Sequence, residues 1–250
     1  MTGFKEYLQE LIILIEKVAV SQDEMFDKSA QLIADALESR HMVHFWGPGG
    51  HSSIFAEDVL YREGELALIN PIIDPSISLG HGAMKEINYF ERIEQIGTAA
   101  IQSAGISQDD VVVIGSAYGV NPVCIQGALE CKKAGAKIVA VTSPAFSDAL
   151  DNDLTKHESG RSLYQLADYT LNSFSPQDDL LLEMDGFSQK FAPVGTIMQL
   201  ITLKALTSTV ITKLIARGAE VPIWRNALEK GGPEFNEQYM NYIWPIAKSI

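Results

Sequence analysis

Apolar side chains recur every three or four residues through the first forty positions. That spacing puts them on one face of a helix and predicts amphipathic helices over residues 3–20 and 23–39. The apolar positions are Phe4, Leu8, Leu11, Ile12, Ile15, Val18 and Ala19, then Phe26, Ala30, Ile33, Ala34 and Leu37. We expect residues 1–40 to form a helical extension in front of the main fold.

After position 40, short apolar runs alternate with helical segments. The run Val111-Val112-Val113-Ile114 is continuously apolar, which is typical of a strand covered on both faces and hence of a parallel sheet between helices. The predicted strands are Met42–Trp46, Leu66–Ile69, Val111–Gly115, Lys137–Thr142 and Asp168–Asn172. The predicted helices lie near 51–62, 85–104, 121–134, 161–167 and 193–217. The pattern predicts an α/β fold with a parallel sheet of about five strands.

No linker, low-complexity run or fixed-period repeat interrupts the chain. We therefore expect one domain over residues 1–250, with its α/β core at 41–217. Residues 218–250 hold several prolines and a pair of glycines, and they predict an irregular tail packed on the core.

The net charge of the chain limits the classes of molecule that it can bind. The formal net charge of −13 argues against nucleic acid and acidic membranes, because both attract basic surfaces. The most apolar early stretch, 11–15, is too short to span a membrane, and no signal-peptide pattern is present. We expect a cytoplasmic protein that needs neither a metal nor a cofactor, and whose two cysteines are core residues.

The first candidate binding loop runs from Gly47 to Ser53, between a strand and a helix. Its Gly49 and Gly50 allow backbone amides to approach a ligand, and the following helix start adds unpaired N–H groups. His51, Ser52 and Ser53 add side-chain donors. Glycine is also common in such turns for geometry alone, so this loop by itself leaves both explanations open.

Two further loops follow the next strands. Ser116, Tyr118, Gly119 and Asn121 lie after the third strand, where Asn121 can also cap a helix. The short Thr142-Ser143 pair ends the strand after it. Ligands bind at the carboxyl ends of parallel strands, so the three loops meet at one edge of the sheet. Hydroxyls and free amides there favour an oxyanion such as phosphate.

Two well-known phosphate motifs do not fit. The chain has no G-x-x-x-x-G-K-[ST] loop. A dinucleotide fingerprint would need glycine or alanine where Ser52 stands and an acidic residue closing the second strand, whereas Glu65 precedes that strand. These motifs therefore do not suggest a nucleotide cofactor.

Several segments together resemble the SIS family of phosphosugar-binding domains. The first loop, with Phe55-Ala56-Glu57 and Arg62 after it, is similar to phosphoheptose isomerases. The stretch 116–121 stands where the family has S-x-S-G-x-[ST], and 139–143 resembles the next strand and its T-S end. His157-Glu158-Ser159-Gly160, continuing to Ala167-Asp168, resembles a segment of one SIS branch, in which Glu91-Arg92 and a late Asn226…Asn236 stretch also recur. The resemblance covers about residues 5–240.

The resemblance implies a flavodoxin-like three-layer α/β/α sandwich that assembles as a homodimer or homotetramer. It also implies a sugar-phosphate ligand, held by the first two loops and by residues such as Ser159. Isomerase members move a proton between C1 and C2 with a glutamate, and Glu57 stands at that position. Glu91 is the next candidate for the base, and His157 is a candidate for the acid that opens the sugar ring.

Two departures from the family leave alternatives open. The late helix 193–217 lacks the histidine that phosphoheptose isomerases carry there, so either His157, His51 or His81 replaces it or the reaction differs. Tyr118 replaces the second serine of the phosphate loop. We expect the Tyr118 ring to point away from the loop amides and to form a wall of the pocket.

The leading hypothesis is an aldose–ketose isomerase of the phosphoheptose-isomerase type with a carboxylate general base. A non-catalytic sugar-phosphate sensor is the first alternative, and a SIS-type lyase or etherase acting on amino-sugar phosphates is the second. An oligomerising scaffold with a vestigial pocket is also allowed by the tyrosine at position 118.

Overall fold

The computed structural model describes residues 3–150, 156–245 and 247. The helices in these ranges are α1 Gly3–Ser21, α2 Asp23–Glu38, α3 Ile54–Glu57, α4 Ala83–Asn88, α5 Glu94–Ala104, α6 Pro122–Lys133, α7 Pro144–Ala149, α8 Leu163–Leu166, α9 Gly195–Ala216 and α10 Gly232–Ile243. The strands are β1 Val43–Trp46, β2 Ile69–Ile72, β3 Val111–Gly115, β4 Lys137–Thr142, β5 Tyr169–Asn172, β6 Leu180–Leu182 and β7 Phe191–Pro193.

The first five strands form one parallel sheet in the order β2-β1-β3-β4-β5. Odd-numbered side chains of β3, such as Val113, face a core shared with α2 and α9, where Ile33 and Leu206 are buried. Even-numbered ones, such as Val112, face a second core shared with α5 and α6. The central strand β3 is continuously apolar because helices cover both faces of the sheet. The predicted three-layer α/β/α fold is confirmed.

The second strand lies further along the chain than the pattern indicated. It spans Ile69–Ile72, whereas 66–69 was predicted, and Leu66 makes only an isolated antiparallel bridge to Ile223. The proline in β2 hid this strand from the pattern. Pro71 has no N–H to donate, but β2 is an edge strand and pairs on one side only, so the proline is tolerated there.

Other boundaries also differ. The predicted helix 51–62 is a short 3-10 turn followed by α3, which ends at Glu57. The predicted helix 85–104 is broken by a 3-10 turn, Phe90–Arg92, after which Ile93 is extended. The segment predicted to be an irregular tail contains α10, which has Pro233 in its first turn, where a missing N–H costs nothing. The β6–β7 hairpin was not predicted.

The long helix α9 is apolar enough, by length and composition, to be considered as a membrane span. Yet 44% of its most apolar window is buried inside the protein. Its residues Leu206 and Val210 belong to the core beneath the sheet, as expected for a central helix of an α/β domain.

Candidate active site

A cavity of about 400 Å³ opens at the carboxyl edge of the sheet. Its wall includes His51 and Ser52 from the first loop, Glu91 from the 3-10 turn before α5, and Tyr118 from the β3–α6 loop. A smaller neighbouring cavity of about 190 Å³ shares Glu91 and Tyr118 and reaches Asn121. Several predicted site residues therefore surround one space where α/β proteins commonly bind ligands.

The first loop is closed around a carboxylate. The Gly50 N–H donates a hydrogen bond of 2.8 Å to Glu91 Oε1. A Cβ at Gly49, whose φ is +144°, would lie 2.7 Å from the same oxygen, and a Cβ at Gly50 would collide with Glu86 Oε2. The two glycines thus make room for acidic side chains of the protein itself, and one amide of the candidate phosphate loop already has an anionic partner.

Tyr118 holds the other oxygen of that carboxylate. Its hydroxyl donates a 2.9 Å hydrogen bond to Glu91 Oε2, and its ring packs edge-on against Phe146 at 5.6 Å between centroids. Burial, and then the charge of Glu91, raise the pKa of Tyr118 well above its ordinary value of 10.0. The tyrosine therefore stays a hydroxyl donor at neutral pH, and its ring forms part of the cavity wall.

Glu86 was not singled out from the sequence. It is only 1% exposed, and neither carboxylate oxygen has a hydrogen-bond donor within the described part of the chain. Burial and the adjacent Glu91 raise the pKa of Glu86 to about 8. No sequence signal indicated this, because a glutamate between Lys85 and Ile87 is typical of a solvated helix.

The hydroxyls of the other two loops point toward the backbone. Ser116 Oγ accepts the Gly119 N–H at 3.1 Å, and Ser143 Oγ donates to Ser175 O at 2.7 Å. The Asn121 side chain caps α6 at Cys124 N and donates to Pro48 O at 3.2 Å, joining the first two loops. These are structural hydrogen bonds. Thr142 Oγ1 is buried and has no partner among the described residues.

The remaining candidates are separated from the cavity. Glu57 ends α3 with an exposed side chain and does not line the cavity. His157 is 4% exposed and contacts Ser159 Oγ at 2.9 Å, Gln126 Oε1 at 3.2 Å and Glu94 at 3.3 Å. Ser53 Oγ donates to Gly50 O. The side chain of His81 lies outside the described part of the structure.

Two further residues were missed. Asp179 lines the cavity with His51, accepts the Gly195 N–H at the start of α9, and has its pKa raised by burial. Gln199, on the next turn of α9, is 2% exposed and lines the cavity, with Oε1 unpartnered in the described ranges. A glutamine flanked on both sides by apolar pairs, Ile197-Met198 and Leu200-Ile201, was a usable signal for Gln199, whereas Asp179 gave none.

Replacing Tyr118 with phenylalanine tests whether its hydroxyl supports the buried Glu91. We expect the free energy of unfolding to fall by about 1–3 kcal/mol, because a buried charged acceptor loses its donor. Urea denaturation measures it. Tyr164→Phe is the matched control, since Tyr164 donates to Asp148 at an exposed site and should cost much less. Equal losses in the two variants would contradict a special role for the Tyr118 hydroxyl.

Comparison with known proteins agrees with the fold. A UPF0309 protein of Shouchella clausii is 30% identical over 240 residues, covering 96% of each chain. One from Brucella anthropi is 34% identical over 232 residues, covering 93% of this chain and 92% of its own. The two similarities extend over nearly the whole chain.

Two solved phosphoheptose isomerases share the fold. The structure from Francisella tularensis has a TM-score of 0.53 at 16% identity, with 84% of this chain and 98% of that chain covered. The Neisseria gonorrhoeae structure has a TM-score of 0.50 at 14% identity, with coverages of 84% and 95%. The sequence pattern of the SIS domain matches residues 6–143, more than half of the chain. The protein therefore belongs to the SIS domain family.

Proposed function

We propose that the protein binds a phosphorylated sugar in the 400 Å³ cavity and interconverts its aldose and ketose forms by proton transfer. The observation that carries the proposal is Glu91, a 7%-exposed carboxylate at the cavity wall that is fixed by two donors. A fixed carboxylate in a partly dry site suits a general base. The two solved phosphoheptose isomerases supply the substrate class by analogy.

In this proposal Glu91 is the base. It takes the proton from C2 of the open-chain aldose, the C–H electron pair forms the C1–C2 double bond, and O1 takes a proton that O2 releases. Glu91 then returns its proton to C1 while the C2–O2 double bond forms. Glu57, the candidate suggested by the family resemblance, is exposed and lies outside the cavity wall.

The ligand phosphate would avoid the acidic end of the cavity. Glu91 repels an anion, while Ser52, Thr196 and His51 can donate hydrogen bonds to it, and burial raises the pKa of the neighbouring Asp179. We assign the phosphate to these donors and the reacting carbons to Glu91. Gln199 Oε1, which has no partner among the described residues, can accept a hydrogen bond from a sugar hydroxyl.

A sugar-phosphate sensor without turnover is the second candidate. The inward-facing Ser116 and Ser143, and the Gly50 amide already bonded to Glu91, leave fewer donors for phosphate than an open loop would offer. Such a site could bind a sugar phosphate without converting it. Proton exchange at C2 separates this function from isomerisation.

The proposal includes a cytoplasmic homodimer or homotetramer. Support comes from α1, which buries Leu14 and Val18 against the core and leaves Phe4, Leu8 and Ile12 exposed. Exposed apolar residues repeated along one helix face favour contact with a second subunit. The net charge of −13 supports the absence of nucleic acid as a partner.

The direct test compares fructose 6-phosphate with fructose on the wild-type protein. We expect the phosphate ester to raise the melting temperature and free fructose to raise it much less, because a ligand that binds only the folded state stabilises it. In D₂O, the enzyme should also place deuterium at the reacting carbons. Equal thermal shifts would contradict a phosphate subsite; stabilisation without deuterium uptake would favour the sensor. Five- and seven-carbon sugar phosphates extend the test.

A further inference from the structure

Glu86 occupies an unusual environment next to the proposed base. It extends from α4 to the first loop, where Gly50 leaves space for its Oε2, and both of its oxygens are buried. Its close polar neighbour is the carboxyl group of Glu91, and the two side chains lie within reach of a hydrogen bond. Two carboxyl groups can form such a bond only if one carries a proton.

The surroundings decide which carboxyl group is protonated. Glu91 accepts hydrogen bonds from Gly50 N–H and Tyr118 O–H, and both donors stabilise an ionised carboxylate. The Gly50 N–H also lies near Glu86 but forms its hydrogen bond with Glu91, so Glu86 has no donor of its own among the described residues. Among the described side chains, the titratable groups that interact with Glu86 are Glu91, from the turn before α5, and Tyr118, from the β3–α6 loop. Neither offers a positive charge, so the proton belongs on Glu86.

We propose that Glu86 and Glu91 share one proton at neutral pH, and that Glu86 is the positioning residue that keeps Glu91 a singly charged base at the cavity wall. The catalytic part rests on the proposed isomerase function. The shared proton itself does not. Glu86 keeps its proton throughout the reaction and donates a hydrogen bond to Glu91, while the substrate proton moves between C2, Glu91 and C1.

This arrangement limits the charge of the site. With one proton shared, the Glu86–Glu91 pair beside the first loop contributes a single negative charge near an anionic ligand. If Glu86 also ionised, two buried like charges would lie at this side of the cavity and repel a sugar phosphate. Ligand affinity should therefore depend on the protonation of a residue that does not line the cavity.

The test uses the intact protein with glutamate side chains labelled with ¹³C at the carboxyl carbon. We expect one resonance to titrate near pH 8, because burial and Glu91 raise the pKa of Glu86 to about 8. That resonance should be missing from Glu86→Gln, and in Glu91→Gln it should titrate at lower pH, since the like charge is gone. A Glu86 resonance that titrates at the ordinary pH of a glutamate would overturn the shared proton.

A second measurement tests the positioning role. The affinity for fructose 6-phosphate should fall in the wild type as pH rises through 8, and this fall should be absent in Glu86→Gln. A merely structural Glu86 would leave both pH profiles the same shape, which would overturn the role. If the wild type neither binds nor exchanges any sugar phosphate, the proposed function and the catalytic role both fail, and the NMR titration still decides the shared proton.

Discussion

Replacing Glu91 with glutamine is expected to lower the rate of proton exchange at C2 by about 10²- to 10⁴-fold, the usual contribution of a general base. Glutamine keeps the volume of the side chain, and its one oxygen can still accept the Gly50 N–H while its amide nitrogen donates to the Tyr118 hydroxyl oxygen. It cannot take a proton. Sugar-phosphate binding should persist, so the variant should lose activity through a lower rate constant of proton exchange and not through weaker binding.

Glu57→Gln is the decisive comparison, because the family resemblance and the cavity geometry name different bases. Both variants receive the same substrate concentrations and pH. A large loss in Glu57→Gln with normal exchange in Glu91→Gln would move the base to α3, where the exposed Glu57 would have to reach a cavity from another subunit. Deuterium uptake followed by NMR measures both rates.

The sheet could be predicted because its strands are buried on both faces. Val111–Gly115 and Lys137–Thr142 agree with the structure at both ends, and α6 is within one residue of its predicted limits. Hydrophobic periodicity carries such information because burial is local to each element. β2 was misplaced because Pro71 is acceptable only at an edge, which depends on the order of strands.

The site was predictable only in part. The glycine loop and Tyr118 were found because strand-to-helix turns have recognisable compositions, and the cavity brings them together. The protonation of Glu91 and Glu86 depends on contacts with Gly50 and Tyr118. Each of these two residues lies at least 27 positions along the chain from either glutamate. Local pattern contains no information on such contacts. The 3-10 turn Phe90–Arg92, which carries Glu91, also breaks a helix that the apolar spacing predicted to be continuous.

Glu86→Gln is expected to make the protein more resistant to unfolding at alkaline pH. The pKa of Glu86 is about 8 in the folded protein and returns toward its ordinary 4.5 on unfolding. Between these values the unfolded chain binds fewer protons than the folded one, so the wild-type stability falls as pH rises through this window and levels off above 8. A tenfold difference in acidity between the folded and unfolded states corresponds to about 1.4 kcal/mol.

Glutamine carries no proton to lose and can still donate its amide hydrogen to Glu91. The free energy of unfolding of the variant should therefore not decrease over this pH range. We expect the variant to equal the wild type near pH 5 and to exceed its free energy of unfolding by at least about 2 kcal/mol at pH 8.5. Urea denaturation at half-unit pH steps measures the difference. Glu57→Gln, the same substitution at an exposed site, should run parallel to the wild type. If the Glu86→Gln curve runs parallel as well, Glu86 is ionised in the folded protein at neutral pH and the carboxyl pair does not share a proton.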